Sequence, residues 1–209
     1  MKLSDKFTFV RIIFAPIFVL LYFIPIWLKS TQISPENLKM IASILMFVTI
    51  PLLLFAEFTD YLDGHYARKH NEVTDFGKLF DPFADVILHL TTMICYMFTF
   101  GDFGGYILPV LFMLIMIREF SQNFLRMVAA KNGIAIGARK GGKVKTVFYI
   151  FSGFFALFLE FLVRTDLVPE CFSTLKIIST VMWIICVVLS YASFIDYLIH
   201  FGKVFKETN

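Results

Sequence analysis

The chain has 209 residues, 58% of them hydrophobic and only 17% charged, with a formal net charge of +3 and a mean hydropathy of +0.77. A soluble domain averages roughly 45–50% apolar and about 25% charged residues, and a chain this short cannot hide 27 phenylalanines in one core. Disorder, a coiled coil, a disulfide scaffold and a soluble nucleic-acid binder are excluded, and the chain reads as an integral membrane protein.

A spanning helix needs roughly 20 mostly apolar residues, and six stretches qualify: 7–28, 40–68, 78–100, 106–130, 144–163 and 172–200. The first is too long for the apolar core of a signal peptide and lacks a small-residue cleavage site, so it is expected to be a span. Ser34-Pro35-Glu36-Asn37 carries the capping chemistry that opens the second helix. A short turn, Lys69 to Phe76, predicts that the second and third helices pack as antiparallel neighbours. Gly101-Asp102-Phe103-Gly104-Gly105 makes a tight turn before the fourth, and Asn132-Gly133 and Gly141-Gly142 bound a basic loop before the fifth. With no internal repeat and no long linker, residues 1–209 read as one all-α, polytopic membrane domain with six transmembrane helices.

Charge sets the orientation. With the N-terminus in the cytoplasm, thirteen lysines and arginines fall on the inner side, against four outside: Lys29, Lys39, Arg164 and Lys176. The excess of cations on the inner side predicts that both termini are cytoplasmic. Cys95, Cys171 and Cys186 are far apart and lack zinc-ligand spacing, so they read as small apolar residues.

The informative stretch runs from Thr59 to Asp85. At about 100° per residue, Asp60, Asp63, Gly64 and Ala67 share one face of the second helix. Asp81 and Asp85 are one turn apart on the third, with Gly77 one turn earlier on the same stripe. Four carboxylates are thus able to converge near the cytoplasmic end of the pair. Even one Asp at the centre of a spanning helix costs about 2.5–3.5 kcal/mol, and a divalent cation is the simplest compensation. Carboxylate oxygens suit hard Mg²⁺ or Mn²⁺ rather than zinc. Gly64, Ala67 and Gly77 leave room on the same faces for a flat or phosphorylated ligand.

The pattern D-x-x-D-G-x-x-A-R, followed after eight residues by G-x-x-x-D-x-x-x-D, is filled by Asp60, Asp63, Gly64, Ala67, Arg68, Gly77, Asp81 and Asp85. It resembles the signature of the CDP-alcohol phosphatidyltransferases. Arg118-Glu119-Phe120, Leu125-Arg126 and Gly142-Lys143-Val144-Lys145-Thr146 resemble the pattern of the phosphatidylglycerophosphate synthases within that family, as does the opening Asp5-Lys6-Phe7-Thr8-Phe9-Val10-Arg11. Two positions depart from it: Asp5 stands where the subfamily usually has Asn, and Val86 follows Asp85 where a lysine is common.

The resemblance implies a bacterial-type inner-membrane enzyme, a homodimer with its active site facing the cytoplasm. It implies transfer of a phosphatidyl group from CDP-diacylglycerol to sn-glycerol 3-phosphate, with release of CMP. Asp60, Asp63, Asp81 and Asp85 are then expected to hold two Mg²⁺ or Mn²⁺ ions, with Asp85 also the base. Thr8, Asp60, Gly64, Ala67, Arg68 and Gly77 are expected to hold the CDP-lipid, and membrane lipids surround the helices. Another acceptor stays open: inositol phosphate, serine, choline or phosphatidylglycerol. A cation transporter predicts carboxylates spread through the membrane depth, whereas these cluster at one side.

The basic residues point independently to an anionic acceptor. Arg118 and Glu119 lie inside an apolar helix, where ionisable residues are functional by default. Arg118 and Arg126 share one side of that helix. Lys143 and Lys145 open the fifth helix, whose N-terminal amides favour an anion. Arg118, Lys143 and Lys145 are therefore expected to bind the acceptor phosphate. Glu119, about 100° round the helix from Arg118, does not suffice as its sole partner. Among the remaining ionisable groups, Glu57 sits one turn before Asp60, His89 one turn beyond Asp85, and Asp196 near the inner end of the sixth helix is placed to meet an arginine.

Overall fold

The computed structural model describes the backbone of residues 3–69, 75–133 and 140–201, and the side chains of all of these except 3–7, 60–69, 75–76, 78 and 140. The described residues form six helices and no strand: α1 (Leu3–Leu28), α2 (Pro35–Lys69), α3 (Asp75–Cys95), α4 (Pro109–Lys131), α5 (Lys140–Arg164) and α6 (Phe172–Phe201). Helices satisfy every backbone group within the segment, which lipid demands. Pro16, Pro25, Pro51 and Pro82 sit inside helices, as membrane helices tolerate.

The boundaries follow local chemistry. Ser34 caps α2, its Oγ accepting from the amide of Asn37 at 3.4 Å. Pro109 opens α4, where a missing amide proton costs nothing. Between α3 and α4, Gly104 takes φ +70°, and a Cβ on Gly105 would lie 2.4 Å from the Met97 carbonyl oxygen, so only glycine lets the turn close on the end of α3.

Among the described residues, four helices are long and apolar enough to cross a membrane, over Thr8–Leu28, Pro35–Thr59, Gly141–Arg164 and Phe172–Phe201. The other two, α3 and α4, are interrupted by the charges that make them informative: Asp81 and Asp85 on one, Arg118, Glu119 and Arg126 on the other. Large apolar side chains cover the outside, Phe47, Phe151, Val188 and Ile199 among them, as expected where lipid replaces water. The core is built from Phe18, Tyr22, Met46, Met93, Tyr96, Ile115, Leu157 and Trp183.

Among the described residues, α1 packs along both α2 and α3; α5 packs on α6 and α2, and α4 on α6 and α3. Side chains of α2 and α3 still meet, at Glu57 and His89, whose Oε1 and Nε2 are 3.5 Å apart. The reason α1 lies against α3 is chemical as well as steric, since its Thr8 and Arg11 reach the α3 aspartates.

At the opposite end of the bundle a buried network ties α1, α3 and α5 together. Arg164 and Glu160 pair at 2.7 Å with no exposure of either side chain. Glu160 also accepts from Thr99 Oγ1 and the Tyr106 hydroxyl, each at 2.8 Å, and from the Phe100 amide at 3.0 Å. Arg164 donates to the Tyr22 carbonyl at 2.8 Å. A buried ion pair is tolerable only when its remaining hydrogen-bonding capacity is met, and these partners meet most of it.

Candidate active site

Asp81 and Asp85 lie one turn apart on α3, with side chains 39% and 29% exposed, so they line an opening rather than the core. Two fully buried α1 residues serve them. Thr8 donates to Asp81 Oδ1, and Arg11 NH1 donates to Asp85 Oδ1. The other Arg11 nitrogen is 3.8 Å from Asp81 Oδ1 and 3.4 Å from Thr8 Oγ1. One guanidinium therefore bridges two carboxylates, offsetting part of their mutual repulsion. Thr8, named from the resemblance as a CDP-lipid residue, is spent on Asp81 here, and Gly77 lies half-buried one turn before Asp81.

Residues 60–69 belong to α2, but the side chains of Asp60, Asp63, Gly64, Ala67 and Arg68 lie outside the described residues. The described residues by themselves hold no group of three His, Cys, Asp or Glu side chains fit for a metal. What they contribute is a pair of hard oxygen donors at an accessible helix end, which suits Mg²⁺ or Mn²⁺.

Arg118 and Lys145 come together through Glu119. One Glu119 oxygen, Oε1, accepts from Lys145 Nζ at 2.6 Å, from Arg118 NH1 at 3.0 Å and from the Tyr149 hydroxyl at 3.0 Å. Arg118 Nε also donates to the Ser190 carbonyl at 2.9 Å, and its guanidinium lies 5.9 Å from the Phe194 ring. Glu119 thus partners Arg118 despite the angle between them, because the long guanidinium stem bends back to it. It is not the sole partner, as Ser190 shows. Lys143, by contrast, is exposed: two positions from Lys145, it points to the other side of the helix.

Four further features stand beside these residues. Arg11 closes the opening stretch Asp5–Arg11 that resembles the subfamily, and it sits three residues after Thr8 in an apolar run, the setting in which an arginine marks function. Glu57 and His89 pair one turn deeper than the aspartates, each mostly buried. The His89 ring meets the Tyr149 ring edge-on at 5.9 Å, linking the carboxylate and cation clusters. Asp196 contacts His200 Nδ1 at 3.3 Å.

Comparison with known proteins identifies the family. The family profile described as CDP-alcohol phosphatidyltransferase matches residues 1–191. A CDP-diacylglycerol–glycerol-3-phosphate 3-phosphatidyltransferase of Treponema pallidum is 36% identical over 99% of this chain and 92% of its own. Proteins of the same name from Bacillus subtilis and Aquifex aeolicus are 33% and 27% identical, over 69% and 86% of this chain and 70% and 96% of theirs. The chain belongs to the CDP-alcohol phosphatidyltransferase family.

Proposed function

We propose that this protein transfers the phosphatidyl group of CDP-diacylglycerol to sn-glycerol 3-phosphate, forming phosphatidylglycerophosphate and CMP. The observation that carries the choice of acceptor is the buried Arg118–Glu119–Lys145 cluster: two cations share one carboxylate oxygen, leaving net positive charge, and Tyr149 on that oxygen also meets His89 of α3. Such charge inside a membrane bundle calls for an anionic ligand. The relatives whose names specify glycerol 3-phosphate support the same acceptor.

In this reading Asp60, Asp63, Asp81 and Asp85 hold two Mg²⁺ or Mn²⁺ ions, which when bound would neutralise the diphosphate and the departing CMP. Thr8, Gly64, Ala67, Arg68 and Gly77 hold the CDP-lipid. Arg118 and Lys145 hold the acceptor phosphate, while Lys143, exposed on the other side of α5, adds positive potential rather than a contact. Asp85 takes the proton of the acceptor's far hydroxyl. That oxygen forms its bond to the phosphorus carrying diacylglycerol as the bond to the CMP oxygen breaks, and CMP departs with the electron pair.

The same reading places six spans in a bacterial-type inner membrane. Both termini and the site face the cytoplasm, and two copies form a homodimer. The charged α3 and α4 cross with their ionisable groups turned inward, as membrane helices require. The test is CMP release from CDP-diacylglycerol by the purified protein with a panel of alcohols. Glycerol 3-phosphate should drive it, and inositol phosphate, serine, choline and phosphatidylglycerol should not. Faster release with any of those four would reassign the acceptor.

A further inference from the structure

Tyr149 of α5 is almost wholly buried and is held from three directions. Its hydroxyl donates at 3.0 Å to Glu119 Oε1, the oxygen that Lys145 and Arg118 share. The Lys145 ammonium lies 4.8 Å from the centre of its ring. The His89 ring of α3 meets that ring at a near right angle, with centroids 5.9 Å apart. His89 is backed in turn by Glu57 of α2, 3.5 Å away, both side chains mostly buried. Along the chain, His89 stands one turn beyond Asp85 and Tyr149 one turn beyond Lys145, and the charges of Asp85 and Lys145 both act on His89. Two touching rings thus bridge α3 and α5, one turn deeper than the proposed base and the phosphate-binding lysine.

Aromatic rings are stiff and a close-packed interior does not compress around them, so the bridge fixes how far apart α3 and α5 stand at that level. A carboxylate–imidazole pair is an expensive way to fill space inside a membrane bundle. What it adds over an apolar pair is a ring held in one orientation, as satisfied polar networks provide. We propose that Tyr149, wedged by His89 and Glu57, is a specificity-determining spacer. It sets the separation between the acceptor-phosphate pocket and Asp85, and so selects the length of the acceptor's carbon chain. The inference rests on the acceptor reading above. In glycerol 3-phosphate three carbons separate the phosphate from the far hydroxyl. A shorter acceptor held by its phosphate falls short of Asp85, and a longer one must fold to present its hydroxyl there. Position counts steeply in such a site: a misplacement of about 1 Å costs on the order of 10²-fold in rate.

The experiment follows CMP release from CDP-diacylglycerol by the full-length protein in lipid nanodiscs. The acceptors are 2-hydroxyethyl, 3-hydroxypropyl and 4-hydroxybutyl phosphate, with glycerol 3-phosphate as the reference. The ratio of kcat/KM between two acceptors is read, because it does not depend on what fraction of a variant is folded. The wild type should prefer the three-carbon acceptor to either neighbour by at least about tenfold. His89→Leu thins the wedge and lets the phosphate pocket settle toward Asp85, so the two-carbon acceptor should come within about threefold of the three-carbon one. Tyr149→Phe keeps the ring but frees Glu119, and should raise the KM of every acceptor without changing their ranking. Glu57→Met leaves His89 in place but unbacked. It should weaken the preference in the same direction as His89→Leu, and it carries the test where that variant does not fold. A folded variant of either kind that keeps the wild-type ranking overturns the proposal, as does a wild type that uses glycerol 3-phosphate but takes all three lengths alike. Wild-type protein that releases CMP with another alcohol and none with glycerol 3-phosphate overturns the acceptor reading, and this inference with it.

Discussion

The Lys145 ammonium on α5 lies 2.6 Å from one oxygen of Glu119 on α4, both side chains almost wholly buried. Because Arg118 shares that oxygen, the three residues form a unit that a phosphate can join without stranding a charge. Replacing Arg118 or Lys145 with Ala should raise the KM for glycerol 3-phosphate while sparing that for CDP-diacylglycerol. A lost charge-assisted hydrogen bond of about 1.5–3 kcal/mol corresponds to roughly 10–150-fold weaker acceptor binding. Lys143→Ala should show a smaller rise, since Lys143 is exposed. Steady-state kinetics varying each substrate in turn checks all three, and a change confined to the CDP-lipid KM would move the pocket elsewhere.

Asp81 has a hydroxyl donor and a nearby guanidinium, but its side chain remains 39% exposed and open to a cation. Asp60→Asn, Asp63→Asn and Asp81→Asn should each abolish activity by weakening metal binding. EDTA should do the same to the unaltered protein, with recovery on adding Mg²⁺ or Mn²⁺. Full turnover in excess chelator would remove the metal from the mechanism. The substituted proteins should need a higher metal concentration for whatever activity remains.

Much of this was legible before the structure. Six apolar runs announce six helices because lipid leaves the backbone few alternatives, and the spacing of Asp81 and Asp85 announces two carboxylates on one stripe of α3. What spacing does not convey is which helix fills the gap between two others. The turn from Lys69 to Phe76 suggests that α2 and α3 are neighbours, and Glu57 and His89 do meet; it gives no sign that the guanidinium of Arg11 and the hydroxyl of Thr8 also bring α1 against α3. Helix angle does anticipate that Glu119 is not the sole partner of Arg118, since the Ser190 carbonyl shares it; what it does not convey is that Lys145 and Tyr149 converge on the same Glu119 oxygen.

The Glu160–Arg164 pair gives a stability prediction separable from catalysis. It lies at the bundle end opposite the aspartates, is fully buried, and joins α5 to the Tyr22 carbonyl and to the turn after α3. Removing one partner strands the other charge, at a cost of about 3–5 kcal/mol. Arg164→Ala and Glu160→Ala should both lower the unfolding temperature in detergent markedly. The protein that remains folded should keep both substrate KM values. If either substitution altered the acceptor KM at temperatures well below unfolding, the network would have to couple to the site.

The proposed role of Asp85 as base is testable through its neighbours. Arg11 binds one of its oxygens, and the side chain is 29% exposed, which leaves the group within reach of a substrate hydroxyl. A carboxylate so placed is able to serve as metal ligand and proton acceptor together, and substitution separates the two roles. Asp85→Asn keeps an oxygen that can contact metal or Arg11 but cannot accept the proton in the same way. If proton transfer is its main contribution, turnover should fall by about 10²–10⁴-fold while CDP-diacylglycerol binding, measured directly by competition, changes little. Arg11→Gln provides the control, since it leaves the carboxylate in place but removes the guanidinium that bridges Asp81 and Asp85. It should disturb metal dependence more than it slows the step at saturating metal. Near-normal turnover in Asp85→Asn, together with lost lipid affinity, would assign Asp85 to binding alone and require another proton acceptor. His89, one turn deeper on the same helix and paired with Glu57, would then be the first residue to examine.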